Sequence, residues 1–185
     1  MNIESLKFPI GHFEQPETVT PEIFADWVKI IADFPKRLIE ATDELTEQQL
    51  DTPYRPEGWT VRQVVHHCAD SHLNSFVRFK LALTEDNPTI KPYFEERWAL
   101  LPDGKTLAIS SSLKLLEGLH ERWAVLLGAL TEAERQRTFF HPEHQQEFVL
   151  EQYVGFYAWH CSHHLAHITS LKAREGWGEL NEIQG

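Results

Sequence analysis

Apolar side chains recur at three-and-four spacing in four stretches of this chain, and each stretch predicts a helix with one buried face. The first carries Phe24, Trp27, Ile30, Ile31, Phe34, Leu38 and Ile39. Thr20 opens it as an N-cap, with Pro21 at the first helical position, and Pro35 predicts a kink or a break. The second starts at Thr60, where Gln63 completes a capping box. It runs through Val61, Val64, Val65, Phe76 and Phe79 to about Leu83. Ser110, Ser111 and Ser112 open the third, which carries Leu113, Leu116, Leu119, Trp123, Leu126, Leu127 and Leu130. The fourth spans about Leu150 to Arg174 and stops at Gly176.

The segments between these helices read as connections. Residues 1–19 are expected to be irregular and extended, because Phe8-Pro9-Ile10-Gly11 and Pro16 interrupt any long helix. Thr46 with Gln49, and Thr131 with Glu134, form two further capping boxes. Asp51–Gly58 is a loop with two prolines and a glycine. Glu85–Gly104 is acidic and aromatic and reads as a lid with a helical turn at Phe94–Leu100. Phe139–His144 and Glu147–Val149 suggest a two-stranded ribbon. Leu45-Thr46-Glu47 and Leu130-Thr131-Glu132 recur ahead of the second and fourth helices, hinting at a repeated helix pair. The expected architecture is all-α: a four-helix bundle with a short β-ribbon and an extended N-terminal segment, one domain across residues 1–185.

Composition narrows the function. The net charge of -11 and the lack of a Lys/Arg cluster argue against nucleic acid as a partner and favour a small-molecule substrate. No apolar run is long enough to span a bilayer, and no basic-then-apolar leader is present, so no membrane partner is expected. Cys68 and Cys161 are the only cysteines, too few for a disulfide framework, and the compartment expected is the reducing cytoplasm.

The 11 histidines carry the chemistry. On the fourth helix His160 and His164 lie four apart and aim two imidazoles at one point, with His163 and His167 beside them. On the second helix, His67 shares a polar stripe with Thr60, Gln63, Asp70, Ser71 and Asn74, whereas His66 is turned roughly 100° away. Three imidazoles from two helices make a metal site with an open coordination position, the arrangement of a catalytic ion. Asp70, Gln63 and Tyr157 are the groups expected to orient a reactant or hold a ligand ring. His163 is expected to line the pocket. Cys68 and Cys161 are expected to be buried small hydrophobes, although either thiolate could close the site if turned inward. No Glu lies between His160 and His164, which argues against zinc-peptidase chemistry.

Two motifs carry a family resemblance. Trp59-Thr60-Val61-Arg62-Gln63-Val64-Val65-His66-His67 resembles the start and histidine of the second helix in the DinB-like four-helix metalloproteins. His160-Cys161-Ser162-His163-His164-Leu165-Ala166-His167 resembles their last-helix His-x-x-x-His. Asp51-Thr52-Pro53-Tyr54-Arg55-Pro56, Ala69-Asp70-Ser71-His72, the run from Arg78 to Tyr93, and Phe156-Tyr157-Ala158-Trp159-His160 are similar to the YfiT branch. That branch is described as metal-dependent hydrolases and linked to bacillithiol S-transferases. The resemblance implies one zinc or nickel ion per chain on His67, His160 and His164, and a homodimer. Two enzymatic readings follow. In one the ion activates a low-molecular-weight thiol of bacillithiol type for transfer to an electrophile. In the other it activates water for hydrolysis. A non-catalytic bundle fixed by its ion, a binding or stress-response module, is the third reading.

Overall fold

The computed structural model describes residues 2–177; the ends of the expected domain, residue 1 and residues 178–185, lie outside them. The elements in chain order are α1 (Ile3–Lys7), α2 (Pro21–Thr42), α3 (Glu47–Leu50), α4 (Val61–Thr84), α5 (Glu95–Trp98), α6 (Pro102–Thr106), α7 (Ser110–Gly128), α8 (Glu132–Arg135), β1 (Thr138–His141), β2 (Gln146–Val149) and α9 (Leu150–Glu175). The four long helices are those read from the apolar spacing. Packing pairs α2 with α9 and α7, and α4 with α7 and α9. Consecutive long helices α2 and α4, and likewise α7 and α9, therefore stand diagonally across the bundle, and only α4 and α7 follow one another as neighbours.

Local signals set the boundaries. Thr46, Thr60 and Thr131 each accept a hydrogen bond from the backbone N–H three residues on, and the side-chain oxygens of Gln49, Gln63 and Glu134 accept one from the cap residue's own N–H. Gly176 ends α9 with φ 66°, a left-handed conformation that glycine adopts without a Cβ clash. The paired Leu-Thr-Glu segments become α3 and α8, one-turn helices with the same capping box. The ribbon pairs Thr138 with Val149 and His141 with Gln146, antiparallel, and runs directly into α9. Pro88–Ile90 docks on its outer edge: Phe140 N–H donates to Pro88 O and Ile90 N–H to Phe140 O.

Three expectations need correction. The N-terminal segment is not wholly irregular: Asn2 caps the single turn α1, its side chain accepting from Glu4 N–H. Pro35 does not break the first helix, since α2 continues through it to Thr42. Its ring is instead absorbed in the core with Ile31, Phe34 and Leu38, which are all buried. The lid contains a second turn, α6, besides α5, and is pinned along α4. Gln63 Nε2 donates to Ala99 O, and Arg62 Nη1 donates to Leu107 O. The buried Arg62 also bonds Asp51 at 2.7 Å and Glu47 at 2.6 Å, so one guanidinium ties α3, α4 and the lid together.

The core is one cluster spanning all four long helices, with Trp123, Phe34, Phe79 and Ile168 fully enclosed. At the α2–α9 contact Gly155 has no side chain because Trp27 occupies the space: a Cβ there would sit 2.8 Å from the indole ring. Gly155→Ala is expected to cost about 1–3 kcal/mol from overpacking. A thermal melt reads this as a lower Tm, and the Trp27→Leu background should recover most of the loss.

Candidate metal centre

α4 and α9 bring His67, His160 and His164 together. One ring nitrogen of each lies within 4.8 Å of the other two, and all three residues are buried. The i, i+4 pair on α9 supplies two rings, with centroids 4.4 Å apart, and α4 supplies the third at 4.7 Å from His164. Burial in the first place, and neighbouring imidazoles in the second, hold His67 down to about 4 and His160 and His164 far below the usual histidine range. The rings are therefore neutral near pH 7 and keep the lone pairs that a cation needs.

The protonation of His160 follows from a chain of hydrogen bonds that ends in α2. Pro35 has no N–H, so Ile31 C=O, four residues back, lacks the donor that an α-helix would give it. His120 Nδ1 lies 2.6 Å from that oxygen. A carbonyl only accepts, so His120 carries its proton on Nδ1, and its Nε2 is an acceptor. His72 Nδ1, 2.8 Å away, must then donate to His120. His72 Nε2 in turn accepts from His160 Nδ1 at 3.0 Å. All three rings are buried and held neutral by desolvation, so each has one N–H to give. The chain leaves the Nε2 lone pair of His160 free on the cavity side, where Ser71 Oγ lies 3.5 Å from it. A partner on the far nitrogen that fixes the tautomer and direction of a ring is the usual support of a metal-binding histidine. The donor set thus fits a divalent cation, and His67, His160 and His164 are the residues that would hold it.

Other residues take different places. His66 faces away, bonded to Ser112 Oγ at 2.7 Å and Leu107 O at 3.0 Å. His163 stacks on Trp159 at 4.4 Å and lines the cavity. His167 stacks on Tyr54 at 3.9 Å and donates from Nε2 to Lys7 O, tying the N-terminal segment to α9. Cys68 and Cys161 are buried, with burial pushing both thiols up, and neither belongs to the cluster. Tyr157 lines the wall and shares a 3.1 Å hydrogen bond with Ser71 Oγ. Gln63 has its amide engaged at both ends, in the cap of α4 and on the lid. Asp70, expected beside His67, lines neither opening of the site. It lies near Asp103 of α6 and Tyr93, and burial followed by Asp103 pushes its carboxyl up to about 6. Sequence reasoning missed His72 and His120. The readable signal was Pro35, whose ring orphans a carbonyl inside a helix.

The centre opens on two sides. One cavity of about 570 Å³ runs along Ser71, Tyr157 and Arg78 towards the ribbon. Another, of about 740 Å³, lies under Tyr54, Arg55 and the N-terminal segment. Trp59, His163 and His164 line both.

A bundle of diagonal helices with three buried histidines on facing helices defines a class of metal-site four-helix proteins. The DinB superfamily profile matches residues 31–168, and this chain belongs to that superfamily. A Bacillus mycoides (strain KBAB4) protein, provisionally named a metal-dependent hydrolase, is 54% identical over 175 residues, covering 95% of this chain and 100% of its own. Bacillus subtilis (strain 168) YfiT, named in the same way, is 48% identical, with 96% and 99% covered. A solved structure of Bacillus subtilis YfiT, described as a probable metal-dependent hydrolase with an unusual four-helix bundle topology, superposes with a TM-score of 0.92 over 94% of this chain and 99% of that one.

Two outcomes are expected. His72→Phe should remove the acceptor for His160 Nδ1–H while keeping the volume of the core. It should weaken metal affinity about 10- to 100-fold in a chelator-competition titration, and ¹⁵N spectra of the metal-free protein should show His160 losing its single tautomer. Acid should also unfold the metal-free protein. Its buried imidazoles resist protons down to about 4, against 6.5 for an ordinary histidine, so between those values the unfolded chain binds more protons. Their stabilising contribution is complete above pH 6.5 and declines as pH falls towards 4. Circular-dichroism melts at about pH 7.5 and about pH 5 should show a lower Tm at the acid value; equal Tm values would mean that the rings are already charged in the fold.

Proposed function

We propose that this chain is a divalent-metal-dependent enzyme, with zinc or nickel held by His67, His160 and His164, that transfers a low-molecular-weight thiol of bacillithiol type to an electrophile. Those three histidines would hold the cation, and the chemistry it would supply is a lowered pKa for a bound thiol, making the thiol a nucleophile near neutral pH. The observation that supports transfer is the pair of cavities meeting at Trp59, His163 and His164. Two chambers suit two organic reactants, one on each side of the histidines, whereas hydrolysis needs only one besides water.

The chain's own groups divide the remaining work. Tyr157 and Ser71, bonded to one another next to His160, offer hydroxyls to orient the reactant in the first chamber. Asp70 and Gln63 act through the lid, Gln63 by holding Ala99 and Asp70 by its approach to Asp103. Trp59 packs on His67 and Trp159 on His163, so each indole forms part of the wall beside the histidines. None of these is a strong base, and a thiol activated by lowered pKa needs none. The names of the relatives favour a second reading, hydrolysis, with water in place of the thiol. No helix among the described residues is long and apolar enough to cross a membrane. A cytoplasmic homodimer is part of the same proposal, and size-exclusion chromatography reads its oligomeric state.

The deciding assay offers zinc- or nickel-loaded protein a low-molecular-weight thiol with a chromogenic electrophile, beside simple esters and amides. Thiol consumption that depends on metal and falls at least about 100-fold in His160→Ala is expected. Turnover of only the esters or amides would replace the transferase reading with the hydrolase one. Tyr157→Phe is expected to lower the rate about 10-fold while leaving metal content unchanged.

A further inference from the structure

Arg78 is a buried cation without an anion. It is only 8% exposed, yet among the described residues it has no carboxylate partner, while Arg62, also buried, has two. Its one protein hydrogen bond is from Nη1 to Tyr153 Oη, at 2.7 Å. A guanidinium has five N–H donors, so four are left without a protein acceptor among the described residues. Enclosing an unpaired charge is costly unless a ligand or ordered water supplies the missing acceptors.

The wall around Arg78 is the wall of the first chamber. Arg78, Tyr153, Tyr157 and His141 line the same cavity as His67 and His160. His141 is 6% exposed, and its Nδ1 is buried with no hydrogen-bond partner. Arg78 and Ser71 lie seven residues apart on α4, so their backbones are separated by about 10 Å along the helix. The two carboxylates on the rim, Glu95 and Glu143, are exposed.

We propose that Arg78 is an anion-recognition residue for the reactant that enters this chamber, and that the anion is a carboxylate at the end of the reactant away from the histidines. The fork of a guanidinium matches the two oxygens of a carboxylate. A single charge on each partner leaves the Arg78 end of the pocket neutral. A phosphate dianion would leave excess negative charge beside Glu95 and Glu143 in a chain already at -11. The aromatic walls between Arg78 and the histidines accept an apolar or aromatic linker. The inference rests on the proposed function only in treating this cavity as the reactant's. It holds for thiol transfer and for hydrolysis alike.

The test compares 4-phenylbutyrate with 4-phenylbutanol, which share the body and differ in the charged group. Calorimetric titration into metal-loaded protein is expected to favour the carboxylate by about tenfold or more. Arg78→Gln should abolish that preference and leave the affinity for the alcohol unchanged. His164→Ala, with the metal site disabled, should keep the preference. A preference lost in His164→Ala and retained in Arg78→Gln would put the carboxylate at the histidines and overturn the proposal. So would equal affinity of the wild type for both probes. Should Arg78→Gln fail to fold, the ¹⁵N signal of Arg78 Nε in the wild type decides: it moves with 4-phenylbutyrate and not with 4-phenylbutanol, or the proposal fails. Absence of thiol transfer would leave this outcome untouched, because binding is read without turnover.

Discussion

A single missing N–H organises the centre of this molecule. Pro35 deprives Ile31 C=O of its helical donor, and a carbonyl buried at the heart of a bundle must find another. His120 supplies it, and that one bond dictates the protonation of every ring downstream, through His72 to His160. The sequence of constraints crosses α2, α7, α4 and α9. Diagonal placement of consecutive helices lets three separate elements reach one buried line of imidazoles, because the side chains come from the inner faces of the whole ring of helices. Packing around the line is aromatic: Phe34, Trp123 and Tyr157 all stand edge-on to His72.

Much of the fold was legible because its signals are local. Apolar spacing gives the long helices α2, α4, α7 and α9, and a threonine three residues before glutamine or glutamate gives the starts of α4 and of the capped turns α3 and α8. The face carrying His160 and His164 was legible for the same reason, since spacing of four along one helix needs no partner to interpret. Choosing His67 over His66 also followed from its polar stripe, and His66 indeed turns away to the loop at Leu107.

The hidden parts depend on contacts between distant segments. His72 and His120 carry no motif of their own, and their meaning lies in a 2.8 Å contact between residues 48 apart in the chain. Asp70 shares the stripe of His67, but the lid lies against that side of the helix and α6 brings Asp103 close. Gln63 reads as a pocket residue and a cap residue alike, and the cap claims its amide. The stripe continued by seven residues from Ser71 would have reached Arg78, where polarity in a core-facing position marks the far end of the cavity. The turn α1 escaped notice because five residues are too few for any periodic signal.

The make-up of the ligand set has an electrostatic corollary. Three uncharged imidazoles donate electron pairs but no negative charge, so a divalent ion on His67, His160 and His164 would retain its full double positive charge within the protein. Neutralisation must then come from whatever arrives through the openings. With such an ion in place, the centre would favour visitors that shed a proton or bring an anion with them, and the bundle would leave that half of the charge balance to its cargo.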